Sequence, residues 1–454
     1  MASSTWVSDV DPESDFSLTN IPFGIATTSD NEAPRAVTAI GSHVLDLKGL
    51  LDQPDAGDVF PYLKDHGNVF DSTTLNKFAE LGRDIHRQVR NTIQDLLSVD
   101  TKHPGFLKDN AELREKALVP RTKVKMHLPM HIGDYTDFYA GYHHAFGVGS
   151  MWRGPANALQ PNYTHLPVGY HGRASSIVVS GHPIKRPAGQ IIIDPAAEPK
   201  QPTVRPSQKL DIELELGCFI ARGNAMGTPI DVNKADDHIF GYVLLNDWSA
   251  RDIQNWEYVP LGPFNGKNFA STISPWVITP DALEPFRSKG IELEGRPELQ
   301  GYLKEARAEN VFDVRCEIDL TSKSPRPSAF PARVSELTIL AAPEGDTTTI
   351  SRVSTKNLLW SFPQMLAHHT LGGCPMRSGD LLASGTISGT KPSEHGSLLE
   401  MSEGGKKDVL LAGMDARKFL KDGDTVTLRA SCGESGKRVG FGECAGRIFS
   451  AVSR

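Results

Sequence analysis

The rhythm of apolar positions changes once along this 454-residue chain, and the change divides it in two. Near the start, Phe23-Gly24-Ile25-Ala26 and His43-Val44-Leu45-Asp46-Leu47 are short apolar runs of the kind that form strands. Leu75, Phe78, Leu81, Ile85, Val89, Ile93 and Leu96 then recur at three- and four-residue steps. That spacing predicts a helix, with Ser72 or Thr73 as its cap. The stretch 100–104 and the basic, extended stretch 120–129 read as a connection. From Met130 onward, Gly and Pro punctuate short alternating runs. Phe312, Val314, Cys316, Ile318 and Leu320 alternate with Asp313, Arg315, Glu317 and Asp319. Val426, Leu428 and Ala430 alternate after the turn at Asp422-Gly423-Asp424. One helical stretch, 357–369, carries Pro363, so it bends there or begins late. The pattern predicts two units, residues 1–129 and 130–454, and a fold that is mainly β (α+β), its second unit a β-sandwich or roll with few helices.

Composition narrows the function classes. A net charge of −7 gives no bulk attraction for nucleic acid or an anionic membrane, so an anionic substrate must be captured by local cations. The opening Met1-Ala2-Ser3-Ser4-Thr5-Trp6 has neither the basic nor the apolar region of a secretory signal. No apolar run approaches the roughly 18 residues of a membrane span. Cys218, Cys316, Cys374, Cys432 and Cys444 are scattered and odd in number, which fits free thiols in a reduced, cytoplasmic setting.

The most informative local pattern is Leu210-Asp211-Ile212-Glu213-Leu214-Glu215-Leu216. On a strand it puts Asp211, Glu213 and Glu215 on one face. Facing water, this is an ordinary amphipathic strand; facing an enclosed pocket, the acids must be protonated or hold a cation. Asp137 lies among aromatics in Ile132-Gly133-Asp134-Tyr135-Thr136-Asp137-Phe138-Tyr139. Asp247 lies where the apolar run Tyr242-Val243-Leu244-Leu245 ends. Asp137, Glu213, Glu215 and Asp247 would together make an all-oxygen site suited to Mg²⁺ or Ca²⁺. No HExxH or Cys/His cluster supports zinc.

On a helix, Asp247, Arg251, Gln254 and Tyr258 would share one side. Arg251 and Gln254 would then supply donors for an oxygen that becomes negative, although a surface ion pair fits Arg251 equally well. Lys267 sits in Gly262-Pro263-Phe264-Asn265-Gly266-Lys267-Asn268, which lacks the spacing of a phosphate loop and can also be a plain turn. Of the fifteen histidines, His144 stands out because it shares a short segment with Asp137. No nucleophile elbow exists: Gly385-Thr386-Ile387-Ser388-Gly389 misplaces its serine. Water activated by a base is the expected attacking group.

Gly133-Asp134-Tyr135-Thr136-Asp137-Phe138-Tyr139, His165-Leu166-Pro167-Val168-Gly169-Tyr170-His171-Gly172-Arg173 and Asp211-Ile212-Glu213-Leu214-Glu215 resemble, in this order, motifs of the fumarylacetoacetate hydrolase family. Asn246-Asp247-Trp248-Ser249-Ala250-Arg251-Asp252 and Leu381-Leu382-Ala383-Ser384-Gly385-Thr386-Ile387-Ser388-Gly389 extend the likeness across both units. The resemblance implies a small SH3-like N-terminal barrel, a larger mixed β-sandwich roll that houses the site, and a homodimer. It implies cleavage of a carbon–carbon bond in fumarylacetoacetate to fumarate and acetoacetate, the last step of tyrosine and phenylalanine catabolism. Acylpyruvate hydrolysis or β-keto acid decarboxylation on the same scaffold stays open, as does a calcium-binding module without turnover. The family's metal ligands, for Ca²⁺ and/or Mg²⁺, fall on Asp137, Glu213, Glu215 and Asp247, with Lys267 and Ser271 near a second, magnesium-type position. His144 falls at the base and Glu400 at the residue that orients it. Substrate contacts fall on Tyr139, Arg153, Gln254, Tyr258 and Thr386, with Arg251 and Lys267 around the developing charge. Ala270-Ser271 stands where Gly-Thr is expected, and Pro363 is unexpected in its helix.

Overall fold

Five antiparallel strands occupy the N-terminal part: β1 (Phe23–Thr28), β2 (Asn31–Ile40), β3 (His43–Asp46), β4 (Leu118–Pro120) and β5 (Val124–His127). Their order is β4-β3-β2-β1-β5. The structure, a computed structural model, describes residues 4–28, 31–322, 345–412 and 415–452. Both apolar runs read from the sequence lie in this sheet, as β1 and β3.

The single helix expected over Leu75 to Leu96 is two. α1 (Asn76–Ala79) stops and α2 (Arg83–Leu97) starts after Gly82, whose φ of 87° an L side chain rarely adopts. Neither Ser72 nor Thr73 is a cap; Leu75 and Gly82 take those places and make no side-chain cap bond. The periodicity runs through the break because both helices bury the same kind of face, with Phe78, Val89, Ile93 and Leu96 fully enclosed. His86, also buried, donates from Nε2 to the carbonyls of Phe78 and Ala79 at 3.0 Å each, which satisfies the frayed end of α1.

The rest of the chain builds two large sheets, besides several two-stranded ribbons. Its strands are β6 (Tyr135–Phe138), β7 (Gly169–His171), β8 (Ile177–Val179), β9 (Leu214–Ile220), β10 (Ile239–Asn246) and β11 (Ser271–Ile273). They continue with β12 (Arg315–Ser322), β13 (Asp346–Ser354), β14 (Leu381–Ala383), β15 (Thr425–Cys432) and β16 (Val439–Phe449). A central mixed sheet runs β7-β6-β14-β9-β10-β11-β8. The other runs β13-β12-β15-β16, closed by the short strand Ile184–Lys185 parallel to β16. β9 and β10 are buried along their whole length, which explains their near-continuous apolar character.

Four helices matter for the site: α3 (Tyr142–Arg153), α4 (Arg251–Glu257), α5 (Phe362–Thr370) and α6 (Leu398–Met401). The helix over 357–369 begins late, as α5, with Pro363 in its first turn, where the missing N–H costs nothing. Ser361 and Gln364 form a reciprocal capping box, each bond 3.1 Å. The fold is therefore mixed, with an antiparallel N-terminal sheet and a β-rich remainder. Among the described residues no helix is long and apolar enough to cross a membrane.

Burial drives the His86 imidazole down to about 4 from its ordinary 6.5, against the pull of its two carbonyl bonds. The unfolded chain therefore holds this proton more tightly than the folded one, so stability is lost as pH falls from 6.5 towards 4. At pH 5 the loss should be about 2 kcal/mol. In His86→Gln, the urea midpoint should fall less between pH 7 and pH 5 than in the parent; equal falls would contradict the assignment.

Candidate active site

Three carboxylates meet where β6, β9 and the end of β10 converge. Ligand oxygens of Asp137, Glu215 and Asp247 all lie within 4.8 Å of one another, and all three residues are buried. β6 and β14 pair in parallel with Asp137 opposite Ala383, and the Gly385 N–H just beyond β14 donates to Glu215 Oε2 at 3.1 Å. Asp137 Oδ1 and Glu215 Oε1 have no hydrogen-bond partner although both are enclosed. Burial, reinforced for Asp137 by Asp247 and for Glu215 by Asp137, pushes both carboxyls well above the usual carboxylate range. Orphaned, mutually repelling carboxylate oxygens in a dry site are what a hard cation requires, so this triad fits a divalent metal ion.

Glu213 lies beside the triad but is already paired. Its carboxylate takes Lys267 Nζ at 2.7 Å, Arg251 Nη1 at 2.6 Å and the Ser249 hydroxyl at 2.9 Å. Burial would raise its carboxyl, yet Lys267 and Arg251 overcome that and hold it far below the usual range. Lys267 also reaches Asp247 Oδ2 at 2.5 Å and the Asp247 carbonyl at 3.3 Å, so its three N–H groups are used. Burial disfavours its charge, but Asp247 and Glu213 outweigh it and keep the ammonium. Ser271 donates to Asp247 Oδ1 at 2.7 Å, and Tyr170 donates to Oδ2 at 3.3 Å.

Arg251, the first residue of α4, is buried and holds Asp211 Oδ2 through Nε at 2.8 Å. Its Nη1 reaches Gln254 Oε1 at 3.3 Å, while Nη2 is enclosed without a partner. On α3, His144 Nδ1 is 2.6 Å from Glu400 Oε2. Glu400 also accepts from Ser388 at 2.9 Å and Ser397 at 2.7 Å. Burial opposes the Glu400 charge, but His144 and the Ser397 hydroxyl hold its carboxyl below the usual range. The acceptor fixes the hydrogen on Nδ1 and leaves Nε2 as the nitrogen that can take a proton. A cavity of about 180 Å³ opens against Asp247, Lys267 and Ser271, with Tyr170, Arg173 and Phe264 on its walls.

Residues 135–448 match the family described as "Fumarylacetoacetate (FAA) hydrolase C-terminal", and residues 19–129 that described as "Fumarylacetoacetase N-terminal". The chain belongs to the fumarylacetoacetate hydrolase family. Fumarylacetoacetase fahA of Aspergillus fumigatus is 52% identical over 99% of this chain and 99% of its own. The fumarylacetoacetases of Rattus norvegicus and Homo sapiens are 45% and 44% identical, each over 97% of this chain, covering 98% and 97% of theirs. Among solved structures, a fumarylacetoacetate hydrolase from Exiguobacterium antarcticum aligns over 95% of this chain and 99% of its own, with a TM-score of 0.50 at 15% identity, and so shares the fold.

For a member of this family, several expected positions need restating. Asp247 does not share a helix with Arg251; it directly follows β10, and α4 starts four residues later. Asp211, Glu213 and Glu215 do not line one face of one strand. The ladder breaks after Asp211, where the Asn246 side chain takes the Glu213 N–H at 3.1 Å. Asp211 then turns to Arg251 and to the N–H groups of Leu398 and Leu399, at 2.7 and 3.0 Å. Arg251 is no surface ion pair. Tyr139 packs edge-on to His144 at 5.7 Å, and the Thr386 hydroxyl is enclosed without a partner. Tyr258 faces Trp152 at 5.5 Å. Arg153 is exposed and bonds the carbonyls of Asn157 and Ala158 at 3.0 and 2.6 Å. Tyr170, Ser388 and Ser397 went unassigned in the sequence. The Ser397-Leu398-Leu399-Glu400 spacing, that of a helix start, is a local signal for Ser397 alone.

Because the triad repels itself when empty, Glu215→Gln should raise the melting temperature of metal-stripped protein by a few degrees. The same change should weaken Ca²⁺ or Mg²⁺ binding at least about tenfold and reverse the order of melting temperatures once metal is added. Melting curves with and without the ion, in which the two orders fail to cross, would contradict the arrangement.

Proposed function

We propose that this chain is a fumarylacetoacetase: it adds water across a carbon–carbon bond of fumarylacetoacetate and releases fumarate and acetoacetate. The observation that carries this reading is the His144–Glu400 pair, linked through Glu213 and Lys267 to an acidic triad with two unpartnered oxygens, in a chain 44–52% identical to fumarylacetoacetases. A calcium-binding module needs no such base. The acidic Asp137, Glu215 and Asp247, with Glu213 adjoining, would hold Ca²⁺ or Mg²⁺, which when bound polarises the substrate's dicarbonyl oxygens and offsets enolate charge. Lys267 is an ammonium with no lone pair, so at a second magnesium position only its carbonyl and the Ser271 hydroxyl are available as oxygen donors.

His144 Nε2 takes a proton from water while Glu400 holds the ring and stabilises its positive charge. The hydroxide adds to the carbonyl next to the fumaryl group. Arg251 Nη2, the enclosed donor without a partner, and the Gln254 amide steady the oxygen that becomes negative. Lys267 neutralises Glu213 and Asp247 and so keeps their charge from opposing that step. The carbon–carbon bond then breaks, and the acetoacetate carbanion recovers the proton from His144. Tyr139, Tyr258, Thr386 and Arg153 are the proposed substrate contacts. The SH3-like character of residues 1–129 and a homodimer belong to the same family reading, whereas the boundary at 129/130 rests on the change of apolar pattern and a cytoplasmic location on the scattered thiols. The exposed Phe146, Met151 and Trp152 of α3 give such a dimer an apolar face.

His144→Ala should lower kcat by about 10²- to 10⁴-fold with an unchanged far-UV spectrum, and Glu400→Gln should lower it less. Undiminished turnover of fumarylacetoacetate by His144→Ala would remove His144 as the base. Faster turnover of acylpyruvates than of fumarylacetoacetate by the parent protein would reassign the substrate.

A further inference from the structure

Asn76 lies outside the site, at the start of α1, yet its side chain joins the approaches to two strands that shape it. Nδ2 donates to the carbonyls of His131 and Ser378 at 3.1 and 2.9 Å, and Oδ1 accepts the His131 N–H at 2.8 Å. The Ser378 hydroxyl donates back to the Asn76 carbonyl at 3.2 Å. The three segments touch closely: a Cβ on Gly379, which has φ 92°, would fall 2.3 Å from Asn76 Nδ2 and 2.2 Å from the His131 carbonyl. A short step beyond these clasped residues, β6 begins at Tyr135 and β14 at Leu381. Asp380 adds a second tie, accepting the Asp134 N–H at 3.1 Å. The clasp is itself anchored, because Phe78 of α1 packs edge-on against Phe240 of β10 at 5.8 Å.

We infer that Asn76 is a positioning residue for the acidic triad: by tying 131 to 378 it fixes the register of β6 against β14. Register decides which face each strand residue presents, and a slip of one residue would carry Asp137 away from the triad. Glu215 is referenced to β14 as well, since its carboxylate is held by the N–H of Gly385, two residues beyond that strand. An amide serves here because the site needs two donors and an acceptor on one short side chain. The N-terminal part of the chain thus acts on the metal site through one side chain that never touches it. This inference rests on the metal-binding reading proposed above.

The test uses full-length, metal-stripped protein titrated with Ca²⁺ and Mg²⁺ by calorimetry, alongside amide exchange over residues 131–138. Asn76→Ala should weaken the ion's Kd about tenfold, speed exchange in that stretch, and lower kcat more than it raises KM. Tyr62→Phe, which removes a hydrogen bond to Thr92 elsewhere in the N-terminal part, should leave the Kd unchanged and controls for general destabilisation. If Asn76→Ala is insoluble, Asn76→Asp is read the same way, since it keeps the acceptor and loses both donors. Parent-like Kd and exchange in the Asn76 variant, or an equal change in Tyr62→Phe, overturns the inference. Failure of the parent itself to bind either ion would instead sink the metal reading.

Discussion

Burying carboxylates is the constraint around which the rest of this molecule is arranged. Asp137, Asp211, Glu213, Glu215, Asp247 and Glu400 are each at most 5% exposed, and among the described residues Arg251 and Lys267 are the permanent cations paired with them. Each charge left without a partner in such a place costs several kcal/mol. The pairings divide cleanly: Asp211 and Glu213 go to Arg251, Glu213 and Asp247 to Lys267, and Glu400 to His144. Among the described residues, Asp137 and Glu215 form no ion pair. Their deficit is the site's capacity to bind.

The same pairings position the groups that would do chemistry. Asp211 holds Arg251 with one oxygen while both its oxygens receive the first N–H groups of α6, the helix that carries Glu400. One buried acid therefore sets the proposed oxyanion donor, Arg251, and the carboxylate that holds His144 in a common frame. Glu213 does the equivalent between Arg251 and Lys267. Removing either acid would strand a buried guanidinium or ammonium, so losses there would reach both stability and turnover.

Much of this was legible in the sequence wherever a signal was local. The alternation that became β12 and β15 stood out because one face of each strand is apolar. The acids stood out because carboxylates interrupted apolar runs. The break at Gly82 was not legible, since both helices bury the same face and the periodicity passes through it. Asp211 could not be separated from Glu213 and Glu215, because the break between them comes from Asn246, a side chain on another strand. Asp247 was placed on the wrong element for a related reason: the spacing to Arg251 mimics a helix, but the chain turns out of β10 first. The substrate, fold details and His144–Glu400 pairing came from family resemblance, because no local rule links residues 256 positions apart.

The parallel pairing of β6 with β14 has a consequence for how the protein is made. Its partners are residues 135–137 and 381–383, so the ribosome must deliver most of the chain before the first can find the second. Until then Asp137 and Glu215 stand in water, where their charges are screened and cost little. Enclosure of the pair must wait for residues 381–385, which are synthesised long after β9 to β11. A truncated product ending before Leu381 would carry all three acids but lack β14 and the Gly385 N–H that holds Glu215.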